Sequence, residues 1–277
     1  VRRRIFISDL DGTLLLPDKT LGPRTRDVLA RFLTAGGLFT VATGRSAPVT
    51  AAILEGLRLP LEAIVNNGAM TLDLTSGAIS HLEPLPGPVL QELFGRAREA
   101  GLCPLIYTVS DQGQVSLVHG EPHNRSTRRY LASLAGLMPL VAGPGPGLAH
   151  ARGLSLLLLD EPRRLQAFFD RWCRGLSASL GQSAYTPGLG VGEVQALAAD
   201  KAAAAQRLAR RHGLGPERIV AFGDNANDLP LLRLAGRAYC PPDASPEVLE
   251  QVAGRIAPPA EEGVAQHLQQ VLEQVRR

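Results

Sequence analysis

Residues 4–13 read RIFISDLDGT, a strand's length of apolar residues that runs directly into two carboxylates, Asp9 and Asp11, separated by one residue. A buried strand that stops on charge puts that charge at the carboxyl edge of a sheet, where open α/β folds bind their ligands. The same rhythm continues downstream. PRTRDVLARFLTAGG leads into LFTVAT and APVTAAILEGL into AIVNNGA; late in the chain KAAAAQRLARRHG precedes RIVAFGD, DLPLLRLAG, RAYC and PEVLEQVAG. Alternation of strand-like and helix-like periodicity makes βαβ units on a parallel sheet, so the predicted class is α/β.

The two halves of this pattern are separated. HLEPLPGP (81–88) and YTPGLGVG (185–192) are Pro/Gly-rich stretches of the kind that link domains. Between them the patterns predict helix 88–100, a hairpin in LIYTVSDQGQVSLVH, helix 124–135, strand GLSLLLLD, helix 162–174 and a short strand near 180–186, with AGPGPG (142–147) as a loop. The expected architecture is a Rossmann-like parallel-sheet core, residues 1–82 and 193–277, with an inserted α+β cap over 83–192. At 277 residues with 45% hydrophobic and 20% charged content, the chain has enough apolar material for two cores. The net charge of +3 comes with only 4% aromatics and no basic stripe interleaved with stacking residues, so no nucleic-acid partner is expected. Cys103, Cys173 and Cys240 form no CxxC pair and read as reduced thiols. No apolar run approaches the roughly 18 residues of a membrane span, and IFIS is too short for a signal sequence. A cytoplasmic protein without a membrane partner is the expectation.

Four predicted strand ends carry polar groups. They are Asp9 with Asp11, Thr43 after FTVA, Asn66 with Asn67 after AIV, and Asp224 after IVAFG with Asn227 and Asp228 behind it. Each alone has a plain reading: a turn at Gly12, a turn at Gly44, a helix cap at Asp228 before Leu229 and Pro230. Carboxylates gathered at one edge repel, and a hard oxygen-loving cation such as Mg²⁺ relieves that. Lysine choice adds weight. Of 29 basic residues only Lys19 and Lys201 are lysine, and Lys201 opens a helix, where a cation opposes the macrodipole unless an anion is held nearby. A compact ammonium reaching phosphate is one reading, a solvated lysine beside the cap Asp200 the other. Other chemistries lack their signatures: there is no GxSxG, GxxxxGK[ST] or HExxH.

DLDGT (9–13), TGR (43–45), Lys201 and GDNAND (223–228), in that order, resemble the four motifs of the haloacid dehalogenase superfamily of phosphatases. Thr43 follows Asp9 by 34 positions, too few for a cap domain, whereas 158 positions separate Thr43 from Lys201. With NNGA at 66–69, that spacing resembles the Cof-type subfamily, which carries an α+β cap. The resemblance implies an Asp9 nucleophile, an Asp11 general acid and base, and Mg²⁺ held by Asp9, the Asp11 carbonyl and Asp224, with Asp228 on a metal water or orienting its neighbours. It implies that Thr43, Lys201 and the backbone of Leu10 and Gly12 hold phosphoryl oxygens, assisted by Asn227. Gly44, Arg45 and Asn67 become candidate substrate contacts on the core, and Arg125, Arg128 or Arg129 in the cap. His119 and His123 are substrate-facing or plain loop histidines. Asp11 argues for ester hydrolysis, since an alkoxide leaving group needs a proton and a halide does not. Ala202, where relatives often have Gly, and CPPDA (240–244) depart from the pattern. The implied activity is Mg²⁺-dependent hydrolysis of small phosphate esters, sugar phosphates above all; a phosphomutase and a non-catalytic sugar-phosphate sensor are the alternatives.

Overall fold

The computed structural model describes residues 4–144, 148, 151–182 and 188–276. The first half of the core runs β1 (Ile5–Ser8), α1 (Pro23–Thr34), β2 (Leu38–Val41), α2 (Ala47–Ile53), β3 (Ala63–Val65), β4 (Met70–Leu72) and β5 (Ile79–Leu82). The chain continues through α3 (Gly87–Glu99), β6 (Leu105–Val109), β7 (Val115–His119), α4 (Arg125–Leu134), β8 (Leu140–Ala142), β9 (Arg152–Asp160), α5 (Pro162–Trp172), β10 (Ser177–Gln182) and β11 (Gly190–Gln195). It closes with α6 (Lys201–Arg211), β12 (Ile219–Phe222), α7 (Leu229–Leu234), β13 (Arg237–Cys240), α8 (Pro246–Gln251), β14 (Gly254–Arg255) and α9 (Gly263–Arg276). Two compact units result, Val1–His81 with Asp200–Arg277, and Leu82–Ala199.

The first unit holds a five-stranded sheet in the order β14-β13-β12-β1-β2, parallel throughout. A bridge between Ala42 and Ile64 adds β3 beside β2. β1, β2 and β12 are buried at every position, as strands covered on both faces must be, which is why they read as unbroken apolar runs. On one face Ile5, Ile7, Ile219 and Ala221 pack against Ala204, Ala205 and Leu208 of α6, Leu231 and Leu232 of α7, and Val248 of α8. Alanine at 204 and 205 keeps α6 close to the sheet. On the other face Phe6 meets Phe32 of α1 edge-on at 5.2 Å, and Phe222 meets His267 of α9 at 5.2 Å. Every polar residue singled out from β1, β2 and β12 lies at the carboxyl ends of these strands. β4 and β5, which the periodicity did not reveal, turn back from β3 in a small sheet.

The second unit is a six-stranded sheet, β10-β11-β9-β6-β7-β8, antiparallel except for β7 with β8. Leu90, Leu93 and Phe94 of α3 and Leu165, Phe168 and Phe169 of α5 pack on Ile106, Leu156 and Leu158. The expected hairpin is β6–β7, and the expected helices lie within a residue or two of α3, α4 and α5. The boundary shifts. β11 is an inner strand paired to β9 and β10, so 193–199 belong to this unit rather than to the core. Residues 183–186 of the expected last strand, 185–187 of the linker, 145–147 of the loop and His150 lie outside the described residues. The three cysteines are buried and unpaired, and burial pushes the Cys103 and Cys173 thiols up to about 11. No helix among the described residues is long and apolar enough to cross a membrane.

Candidate active site

β1 ends at Ser8, and the next residue, Asp9, is tied to β12 by its N–H to the Phe222 carbonyl. The strand pairing therefore sets Asp9 beside the chain leading to Asp224. Gly12 adopts φ 77, and a Cβ there would collide with the Asp224 carboxylate, which explains glycine in DGT. Thr13 donates its hydroxyl to Asp224 Oδ1 at 2.9 Å, a contact the sequence reading missed although Thr13 sits inside the motif.

Lys201 is the centre of the arrangement. Its side chain is 0% exposed, and its Nζ donates at 2.6 Å to both Asp9 Oδ1 and Asp228 Oδ1. α6 points the lysine here because Asp200 caps that helix, accepting the Ala203 N–H. Asp228, by contrast, makes no side-chain cap for α7. Its Oδ2 accepts the N–H groups of Asp224 and Asn225, which folds the GDNAND loop around the carboxylate.

The charges do not balance among themselves. Carboxylate oxygens of Asp9, Asp224 and Asp228 all lie within 4.8 Å of one another. Burial pushes the Asp9 carboxyl well above its usual range; Lys201 pulls it back, and Asp228 and Asp224 push it up again. Burial and the Asp228 charge raise Asp224 to about 6. Burial would neutralise Lys201, but the charges of Asp228 and Asp9 outweigh it and hold the lysine protonated. Three carboxylates with one ammonium leave two negative charges and an all-oxygen donor set, which fits a hard divalent cation. The cluster does not include the Asp11 side chain.

Asp11 faces other partners. Arg45 forks onto it, Nε to Oδ2 at 2.6 Å and Nη2 to Oδ1 at 2.8 Å, and Lys19 Nζ lies 3.3 Å from Oδ1. Burial would raise this carboxyl, but the hydrogen bonds and charge of Arg45, then Lys19, outweigh it and hold it below the usual range. The one legible signal for Lys19 was its rarity as a lysine.

Thr43 is buried, and its Oγ1 accepts the Arg45 N–H at 3.1 Å while keeping a proton to donate. The Asn67 N–H donates to the Thr43 carbonyl and the Asn66 N–H to the Arg45 carbonyl. Both asparagines are left-handed, φ 46 and 49, a conformation Asn tolerates better than most residues. Asn67 Oδ1 accepts from Asn227 Nδ2 at 3.0 Å, and the Asn67 amide lies beside Gly44. The Leu10 side chain is fully buried, so its backbone is what it offers a ligand. In the second unit Arg125, Arg128 and Arg129 are exposed on α4, with Arg128 donating to the Pro122 carbonyl. His123 is spent on Asp160, 3.0 Å away, and His119 Nδ1 is 2.8 Å from the Gly120 carbonyl.

The family model for haloacid dehalogenase-like hydrolases matches residues 6–131 and 151–268. Pyridoxal phosphate phosphatase YbhA of Escherichia coli (strain K12) is 27% identical over 245 residues, 84% of this chain and 85% of that protein. An HMP-PP phosphatase of Escherichia coli (strain 55989 / EAEC) is 28% identical over 253 residues, 88% of this chain and 86% of its own. A haloacid dehalogenase-like hydrolase from Bacteroides thetaiotaomicron shares the fold with a TM-score of 0.79 at 22% identity, covering 98% of this chain and 100% of its own. The motifs, their meeting at one sheet edge and a family match across both units place this chain among the haloacid dehalogenase-like hydrolases, in the Cof-type branch.

Proposed function

We propose that this protein is a Mg²⁺-dependent phosphomonoesterase of small phosphorylated metabolites that works through a phosphoaspartate on Asp9. One observation carries the reading: Asp9, Asp224 and Asp228 gather around a buried Lys201 with a charge deficit a divalent cation would fill. The carboxylates of Asp9, Asp224 and Asp228, with the Asp11 carbonyl, would hold the metal. Bound there, Mg²⁺ supplies positive charge that offsets the phosphoryl oxygens.

The chain's own groups do the rest. Lys201 occupies Asp9 Oδ1, so Oδ2 is the oxygen that attacks phosphorus. The Asp9 O–P bond forms as the bond from phosphorus to the ester oxygen breaks, and Asp11 gives its proton to that departing oxygen. Water then attacks the phosphoaspartate and passes a proton to Asp11 as the Asp9 O–P bond breaks, releasing inorganic phosphate. Asp11 starts ionised against Arg45 and Lys19; an arriving phosphate that draws Arg45 away favours loading it with the proton. The Thr43 hydroxyl, Lys201 and the N–H groups of Leu10 and Gly12 hold the phosphoryl oxygens, with Gly44, Arg45, Asn67 and Asn227 on the substrate side. Selection among esters we assign to the inserted unit.

Released phosphate measured over pyridoxal phosphate, HMP-PP and sugar phosphates identifies the substrate class. Asp9→Asn is expected to lower p-nitrophenyl phosphate turnover with Mg²⁺ by about 10³-fold or more. Parental turnover by that variant would remove the nucleophile and the reading with it.

A further inference from the structure

Both lysines of this chain end on carboxylates of the candidate site, although 27 other basic residues are arginine. Lys201 lies between Asp9 and Asp228. Lys19 has no role in the chemistry derived so far, yet its Nζ lies 3.3 Å from Asp11 Oδ1.

Stability does not account for it. The Lys19 and Asp11 side chains are 44% and 38% exposed, and an ion pair that open contributes little. Meanwhile Lys19 stands at φ 69, in the left-handed region where a Cβ crowds the backbone, a cost comparable with what the pair returns. The turn is built to keep it there. Lys19 donates its N–H to the Leu16 carbonyl, Leu16 donates to the Thr20 carbonyl, and the Asp18 carboxylate accepts the Thr20 N–H and hydroxyl. A strained lysine with little to offer folding points to function.

Arg45 has two duties that conflict. Its fork occupies both oxygens of Asp11, while the same guanidinium is the core's candidate for substrate. If it turns to the phosphoryl group, Asp11 loses its orienting partner unless a second cation stays. We propose that Lys19 is the positioning residue of the acid–base step: it holds Asp11 Oδ1 when Arg45 engages substrate, leaving Oδ2 to carry the proton. A compact ammonium can join an oxygen a guanidinium already uses, whereas a second fork would compete for the same lone pairs, which explains lysine in an arginine-rich chain. This inference rests on the reading of Asp9 and Asp11 given above.

Leaving groups test it. An alkoxide needs a proton as it departs and p-nitrophenolate does not, and kcat/KM reports the steps up to that departure. In Lys19→Asn, where asparagine tolerates the left-handed backbone, kcat/KM for pyridoxal phosphate is expected to fall about tenfold or more, and that for p-nitrophenyl phosphate less than about twofold. Lys19→Gly, which removes the strain altogether, is expected to show the same split. Glucose 6-phosphate serves as the alkyl ester if the parent enzyme prefers it. Equal falls with both esters, or no fall with either, would overturn the proposal. Failure of the underlying reading looks different, because Asp9→Asn would then remain active.

Discussion

Each unit of this molecule holds a nearly buried carboxylate beside cations, and the two are tuned in opposite directions. In the inserted unit Asp160 is 5% exposed. Its Oδ1 accepts from Arg164 Nη1 and the Glu161 N–H, each at 2.8 Å, and its Oδ2 lies 3.0 Å from His123 Nε2. Burial would raise its pKa, but His123, the Glu161 N–H and Arg164 outweigh that and hold it low. In the core, Asp9 and Asp224 are pushed up because burial and like charge exceed what Lys201 supplies. The lesson concerns sufficiency. A carboxylate whose partners satisfy it fastens structure, here the junction of β9 with α5. A set of carboxylates short of positive charge is prepared to receive it.

The sharpest way to break this contrast is to remove the one core cation. Lys201→Met is expected to lower kcat by about a hundredfold or more, and to destabilise the metal-free protein by roughly 3–5 kcal/mol, since two buried carboxylates lose their partner. Steady-state kinetics and thermal unfolding measure both; a variant as active as its parent would show that the lysine only packs.

Metal linkage comes next. Mg²⁺ at 100 times its dissociation constant should add about 2.7 kcal/mol over the protein in chelator. Asp224→Asn should lose most of that increment and Asp160→Asn none, as read by unfolding midpoints with and without Mg²⁺. An increment that survives Asp224→Asn would place the metal elsewhere.

Asp160→Asn has the smallest effect, about 2 kcal/mol of stability near neutral pH, with p-nitrophenyl phosphate turnover per folded molecule unchanged. Its pH dependence has a definite sign. A carboxyl held below 3.8 in the folded state stabilises fully above that value and loses its contribution as pH falls through the folded pKa. Parent and variant should therefore converge in acid, in urea titrations across that range. A constant gap would show that Asp160 acts through packing rather than charge.

Much of the core was legible because strands covered on both faces leave continuous apolar runs, and β1, β2 and β12 are of that kind. β11 was not. GVGEVQ alternates buried and half-buried positions around two glycines, and reads as linker until its pairing with β9 and β10 is seen. Asp9, Thr43, Lys201 and Asp224 could be named from motifs. The Arg45 fork on Asp11, the Lys19 tether and the Thr13 bond to Asp224 could not.

The sequence by itself determined which chemical groups this protein owns and the order in which strands deliver them, because periodicity and motif spacing are written along the chain. Which charges find partners was decided only by the tertiary structure. Electrostatic energy depends on separation and burial, and Asp9 and Lys201, 192 positions apart, acquire a separation of 2.6 Å only when β1, β12 and α6 pack.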